Sequence, residues 1–165
     1  MFVLTSLLEQ LRDVVTLLPA SAYRAQPAAR VSGSVGEHVR HALDHVAAFA
    51  AAMNAEELSY DHRRRGTSVE TDPATAVNEI ERLLHKIGRC RVLELHRPIT
   101  FSALLHPEFA SVDIRTTLAR ELLFVVQHTI HHCALIAVLL EWQGWRVPAG
   151  FGLAPSTARA RAMAR

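Results

Sequence analysis

Histidines at helical spacing are the residues of this sequence whose type and placement point most directly to chemistry. The chain has 10 histidines among 165 residues. His128 and His132 are four residues apart in a strongly apolar stretch, so on a helix their imidazoles project from one face, about one turn apart. Two buried neutral imidazoles need polar partners, and one divalent metal ion would satisfy both. The alternative is a pair of core histidines, each hydrogen-bonded to a neighbouring group.

A third ligand should come from another helix that carries histidines at helical spacing. His38, His41 and His45 fall close to one face of such a helix. One of them is enough as a ligand, and the others could support a ligand or lie exposed. Asp44, three residues after His41, could orient a histidine through its second ring nitrogen. Spacing alone leaves the choice of ligand open.

Further candidates lie near these histidines in sequence or in the predicted fold. Glu121 precedes His128 by seven residues and shares roughly its face. It could be a fourth ligand, an acceptor behind a ligand or the partner of an arginine, and the arginine pair is the preferred interpretation. His131 is rotated by about 100° from His132 around the helix, so we expect it to serve packing or an interface.

A polar loop contributes a second group of candidates. Tyr60 stands shortly before three consecutive arginines, with Arg64 in the middle. Together they could bind an anionic substrate or a thiol cofactor. The more usual outcome is a solvated loop whose arginines pair with Glu70 and Asp72, and we favour it.

Four helices must position these residues. Apolar residues every three or four positions predict a first helix from Leu4 to Leu18. The S-x-x-E spacing of Ser34 and Glu37 predicts the start of a second helix, running to about Asn54. Asp72 and Pro73 predict the cap and first residue of a third. The fourth should begin at Thr116 or Thr117 and end at Trp142, near Gly144.

The connections complete a prediction of an all-α four-helix bundle. Residues 56–72 are polar and form a long crossover between the second and third helices. Residues 97–115 contain two prolines and could form a minor hairpin or a loop. Residues 147–157 are rich in proline and glycine and predict an extended C-terminal tail before a short, frayed end. We expect a single domain over residues 1–165, because a chain of this length is too short to form two domains with sufficient hydrophobic cores.

Composition excludes several classes of function. The net charge of +2, from scattered charges, argues against nucleic-acid binding. Cys90 and Cys133 lack C-x-x-C spacing, so they predict reduced thiols of a cytoplasmic protein. The leucine-rich N-terminus has no basic leader and is not expected to be a signal peptide. Residues 122–140 approach membrane-spanning length but contain three histidines, so a buried core helix is expected instead of a membrane span.

The two histidine motifs resemble those of the DinB/YfiT-like superfamily of metal-binding four-helix proteins. The segment from Ser34 to Asp44 is similar to its early-helix motif of a serine, a ligand histidine and an aspartate. The H-x-x-x-H of His128 and His132 is similar to its late-helix motif, although Cys133 and the residues after it replace the usual small residue and glutamine. The resemblance implies His41 as the third ligand, with water in the remaining positions.

The resemblance also implies a fold and a range of activities. The implied fold is an up-down-down-up bundle, often a homodimer, and the implied ion is zinc or nickel. Some relatives are enzymes that use a low-molecular-weight thiol, and many have no assigned activity.

The expected function is that of a metal-dependent enzyme, a thiol S-transferase or a hydrolase acting on a small molecule. Three neutral ligands leave open positions on an ion, as catalytic sites do. The alternative is a non-catalytic metal-binding or stress-response scaffold, which a fourth ligand from Glu121 or His45 would favour. A metal-free dimerising bundle is a third hypothesis.

Overall fold

Helices predominate in the computed structural model, which describes residues 1–26, 32–61, 65–89 and 92–163. The helices are α1 (Phe2–Thr16), α2 (Ala20–Arg24), α3 (Val35–Ala52), α4 (Pro73–Gly88), α5 (Leu118–Trp142) and α6 (Pro155–Met163). A small three-stranded sheet accompanies them, formed by β1 (Glu57–Leu58), β2 (Pro98–Ala103) and β3 (Val112–Thr117).

Three of the four long helices begin where the sequence predicts, and α1 begins two residues before the predicted Leu4. Ser34 and Glu37 form a reciprocal capping box at the start of α3. The Asp72 side chain accepts hydrogen bonds from the first amides of α4, with Pro73 as the first helical residue. Thr117 caps α5 by accepting from the amide of Arg120. Each side chain satisfies amides that have no partner within the helix.

The core lies where the four long helices meet. Helix α3 packs against α5 and α4, and α1 packs against α4 and α5. The largest fully buried side chains come from all of these helices, among them Leu8, Phe49, Ile80 and Ile136. Helices α3 and α5, which carry the candidate ligand histidines, are therefore neighbours with their apolar faces turned into one core.

The sheet corrects the all-α prediction. Strands β2 and β3 form an antiparallel hairpin, so the segment left open between a hairpin and a loop is a hairpin. Strand β1 pairs in parallel with β2, with Leu58 opposite Phe101, inside a segment predicted to be irregular. Arg97, just before β2, donates hydrogen bonds to the carbonyls of Ala52 and Met53. It thus ties the sheet to the end of α3, where carbonyls lack helical partners.

The C-terminal segment also differs from the prediction. The sequence predicts an extended tail and a frayed end, but the structure has a helix, α6, that begins at Pro155. Proline suits the first helical position, and the alanines and arginines that follow it favour helix. Before it, Phe151 is buried and Gly152 has a φ of +69°. A Cβ on Gly152 would lie 2.5 Å from the amide nitrogen of Ala134, so the tail approaches α5 as closely as glycine permits.

Helix α5 is long and apolar enough to cross a membrane by length and composition alone. A core helix passes the same test. Its residues Val125, Ile136 and Leu140 are fully or almost fully buried in the core cluster, and the helix packs on α3 and α1. We therefore interpret α5 as the central helix of the core.

Candidate metal centre

The contact between α3 and α5 brings together imidazoles from both helices. His41, His45 and His128 each offer a ring nitrogen, and these three atoms lie within 4.8 Å of one another. His45 is buried, while His41 and His128 are half-buried. Nitrogens that close can converge on a single ion with little adjustment, since zinc binds imidazole nitrogen at about 2.0–2.1 Å.

The hydrogen bond of His45 determines which of its nitrogens could bind an ion. Nδ1 of His45 is 3.0 Å from the backbone carbonyl oxygen of His41. A carbonyl can only accept, so Nδ1 carries the hydrogen and Nε2 of the neutral ring keeps its lone pair. The ring centroid of His45 is 3.9 Å from that of His128. His45 thus has the support that metal-binding imidazoles usually have.

His132 lies beside this group and contacts another histidine. Its ring centroid is 4.6 Å from that of His41 and 4.6 Å from that of His128. Its Nδ1 is 3.1 Å from Nδ1 of His38. Burial, with the neighbouring imidazoles adding to it, lowers the pKa of His132 to about 2, so the ring is neutral at physiological pH.

The predicted ligands His41, His128 and His132 are therefore neighbours in space. The group of three close nitrogens, however, contains His45 in place of His132. The sequence contained a signal for His45, because His41 and His45 repeat on α3 the four-residue spacing of His128 and His132. The contact between His38 and His132 had no such signal, since it depends on how the two helices are aligned.

Asp44 forms an ion pair with an arginine of its own helix. Its Oδ2 is 2.8 Å from a guanidinium nitrogen of Arg40. The same guanidinium is 2.7 Å from Oε1 of Glu70. All three side chains are largely buried, so Arg40 neutralises two carboxylates and links α3 to the turn that precedes α4.

Glu121 is a buried carboxylate next to the histidine cluster, which comprises His41, His45, His128 and His132. It is 2% exposed, and it accepts hydrogen bonds from the hydroxyls of Tyr60 at 3.1 Å and Thr116 at 2.8 Å. Arg120 lies 3.6 Å away, as the arginine-pair interpretation predicts. The Tyr60 ring stacks on His45 with a centroid distance of 5.0 Å. Glu121 thus supports His45 through Tyr60, and burial raises the pKa of that tyrosine.

The arginine loop falls largely outside the described residues. Arg64, like Arg63, is not among them, and Arg65 is exposed. Its expected acidic partners are engaged elsewhere: Glu70 pairs with Arg40, and Asp72 caps α4. His131 is exposed, as expected for a residue outside the site.

Among the described residues, the cysteine nearest in sequence to this cluster, Cys133, is buried as a free thiol. Cys90 lies outside the described residues. Cys133 is 1% exposed, and burial raises the pKa of its thiol to about 12. Because metal-binding cysteines are thiolates, the cluster offers imidazoles, a donor set that suits zinc, nickel and other first-row divalent ions.

Comparison with known protein families gives a match over most of the chain. The model of the DinB superfamily matches residues 4–136. The chain belongs to the DinB superfamily. The match includes His41, His45, His128 and His132, so the whole histidine cluster lies inside this DinB domain.

Two relatives show how far the similarity extends. The crystal structure of a DinB-like protein from Bacillus subtilis superposes with a TM-score of 0.63 at 19% identity, covering 87% of this chain and 92% of that one. At that identity the likeness concerns the fold. A protein of Rhizopus delemar named FK506-binding protein 5 is 33% identical over 101 residues. The alignment covers 61% of this chain and 26% of the fungal protein, so the DinB chain spans about a quarter of that relative.

Proposed function

We propose that this DinB protein is a metal-dependent enzyme that binds one divalent ion, zinc or nickel, through His41, His128 and His132. The observation that carries the proposal is the meeting of imidazoles from α3 and α5 at one half-buried point. His41 and His128 are common to the predicted ligand set and to the group of closest nitrogens. His132 is the third ligand that the family motif implies.

The reaction we propose is thiol S-transfer or hydrolysis on a small molecule. An ion held by three neutral ligands lowers the pKa of a bound water or thiol and thereby generates a nucleophile near neutral pH. The half-buried positions of His41 and His128 leave a route from solvent to the site. A low-molecular-weight thiol is the co-substrate we propose for the transferase.

The chain's own residues orient the imidazoles. The backbone carbonyl of His41 holds the hydrogen of His45 on Nδ1. Tyr60 stacks on His45 and is itself fixed by its hydrogen bond to Glu121. Such fixed positions matter in catalysis, because a site that is preorganised needs no rearrangement during the reaction.

One observation favours a second function, a non-catalytic metal-binding scaffold. His45 lies close enough to His41 and His128 to become a fourth ligand. Four imidazoles would close the coordination sphere, as in structural sites. The ion would then link α3 to α5 and leave no position for a substrate.

We further propose the finer architecture and setting that the family motif implies. The four long helices would form an up-down-down-up bundle, and the protein would act as a cytoplasmic homodimer with no nucleic-acid or membrane partner. The exposed apolar side chains along α5, including Leu123, Val138 and Trp142, are consistent with a protein interface.

Metal analysis of protein purified without a histidine tag tests the proposal. X-ray absorption of the zinc-loaded protein then counts the imidazoles around the ion. Three imidazoles with an oxygen ligand, together with thiol-transfer or hydrolysis activity that is lost on chelation, support the enzyme. Four imidazoles and no activity support the scaffold, and absence of stoichiometric metal contradicts both.

A further inference from the structure

A close imidazole pair lies beside the proposed ligands. Nδ1 of His38 on α3 and Nδ1 of His132 on α5 are 3.1 Å apart, at hydrogen-bond distance. His132 is 7% exposed and His38 is half-buried. The two side chains therefore contact each other through their Nδ1 atoms, largely shielded from bulk water.

This contact can exist in two tautomeric forms. A hydrogen bond between neutral imidazoles needs one hydrogen between the two nitrogens. If His132 supplies it, Nε2 of His132 keeps its lone pair. If His38 supplies it, Nε2 of His132 carries the hydrogen of that ring and cannot bind a cation.

We infer that His38 is a positioning residue for the metal centre, whose Nδ1 accepts the Nδ1 hydrogen of His132 and leaves Nε2 of His132 available to the ion. This inference rests on the proposed metal site. His38 itself binds no metal in this arrangement. It selects the tautomer and the ring orientation of a ligand that α5 alone would leave unspecified.

The same principle operates elsewhere in the cluster. The His41 carbonyl fixes the Nδ1 hydrogen of His45, and His38 does so for His132. Partners that hold the second nitrogen of a ligand histidine contribute about 10- to 100-fold to metal affinity. Removing the acceptor at position 38 should therefore weaken zinc binding without removing a ligand.

Zinc affinity measured by competition with a chromophoric chelator tests this role. The proteins compared are the untagged wild type, His38→Ala, His38→Asn and His131→Ala. Asparagine retains an oxygen acceptor near the position of Nδ1. His131 is exposed, and its ring centroid is 5.3 Å from that of His132, so His131→Ala controls for loss of a nearby histidine. Circular dichroism verifies that each variant is folded.

We expect His38→Ala to weaken zinc binding by about 10- to 100-fold, and we expect His38→Asn to restore most of the affinity. His131→Ala should bind zinc like the wild type. Two-bond ¹H–¹⁵N NMR of the wild type should show His132 with hydrogen on Nδ1 and none on Nε2.

Equal zinc affinity in the wild type and His38→Ala would overturn the inference while leaving the metal site intact. A second zinc equivalent that disappears in His38→Ala would also overturn it, because His38 would then be a ligand. A wild-type protein that binds no zinc would instead contradict the proposed function.

Discussion

Tyr60, in the segment between α3 and α4, donates a hydrogen bond to the buried carboxylate of Glu121 on α5 at 3.1 Å. Its ring at the same time stacks on His45. One side chain thus joins the polar loop, the central helix and the histidine cluster. Because the acceptor is a buried carboxylate, the bond should contribute more to stability than a bond between neutral groups.

Replacing Tyr60 with phenylalanine tests that contribution. We expect Tyr60→Phe to lower the free energy of unfolding by roughly 1.5–3 kcal/mol, the range for hydrogen bonds to charged groups. Tyr23→Phe is the matched comparison, because its hydroxyl donates to the neutral carbonyl of Val69 at 2.7 Å. Its loss should be about 0.5–1.5 kcal/mol. Urea unfolding measures both, and equal losses would contradict the role of the carboxylate.

Arg40 should be more important to stability than an exposed arginine. Replacement by methionine leaves Asp44 and Glu70 without their shared cation, at 22% and 16% side-chain exposure. We expect Arg40→Met to lower the free energy of unfolding by roughly 1.5–3 kcal/mol. Arg12→Met, which breaks an exposed pair with Asp13, should cost less than about 1 kcal/mol. Chemical denaturation compares them, and an Arg12 variant as unstable as the Arg40 variant would refute the prediction.

Gly36 permits a close approach at the start of α3. A Cβ at this position would clash with the Glu70 carbonyl oxygen and would lie 2.6 Å from a ring carbon of Tyr23. We expect Gly36→Ala to destabilise the protein by about 1–3 kcal/mol, because the backbone must move to make room for the methyl group. Gly88→Ala, on α4 with no atom of the described residues within 4 Å, should be stabilising by up to about 1 kcal/mol. Thermal unfolding distinguishes them, and a harmless Gly36→Ala would contradict the packing described.

The N-terminal cap that Asp72 provides to α4 should weaken in acid. The Thr75 hydroxyl, then the amides of Thr75 and Ala74, lower the pKa of Asp72 below its ordinary value of 3.8. The unfolded chain therefore binds this proton more readily than the folded one, so the stabilisation is present above about pH 4 and is lost as the pH falls further.

Asparagine at position 72 can cap the helix without titrating. The free energy of unfolding of Asp72→Asn should therefore fall less steeply with pH than that of the wild type. The experiment should cover about pH 5 to about pH 2.5, a range that brackets the ordinary carboxyl pKa of about 4. Urea midpoints across that range measure the slope. Parallel slopes for the two proteins would show that the cap does not titrate as described.

Local sequence patterns predicted the long helices and their caps. Ser34 with Glu37, and Asp72 with Pro73, define helix starts through contacts within a few residues. Strand β1 was not predictable in this way, because Glu57 and Leu58 become a strand only by pairing with β2. Helix α6 was missed because the prolines and glycines before it obscured a short run of good helix formers.

The candidate site, too, was predictable from local sequence patterns only in part. Spacing along α3 and α5 selected the histidines, and the family motif selected His41 among three. The proximity of His45 to His128 and the contact of His38 with His132 depend on how far one helix is shifted along the other. That shift is set by core residues such as Val46 and Ile136. The sequence does not indicate which residues of the other helix each of them contacts.

The most direct test of the central claim is the zinc stoichiometry of untagged protein, measured by equilibrium dialysis and elemental analysis. The wild type should retain about one ion per chain, as expected for one shared set of imidazoles, while His41→Ala and His128→Ala should each retain almost none. The exposed His85→Ala, on α4, should match the wild type. Unchanged zinc content in His41→Ala and His128→Ala would contradict a site shared between α3 and α5.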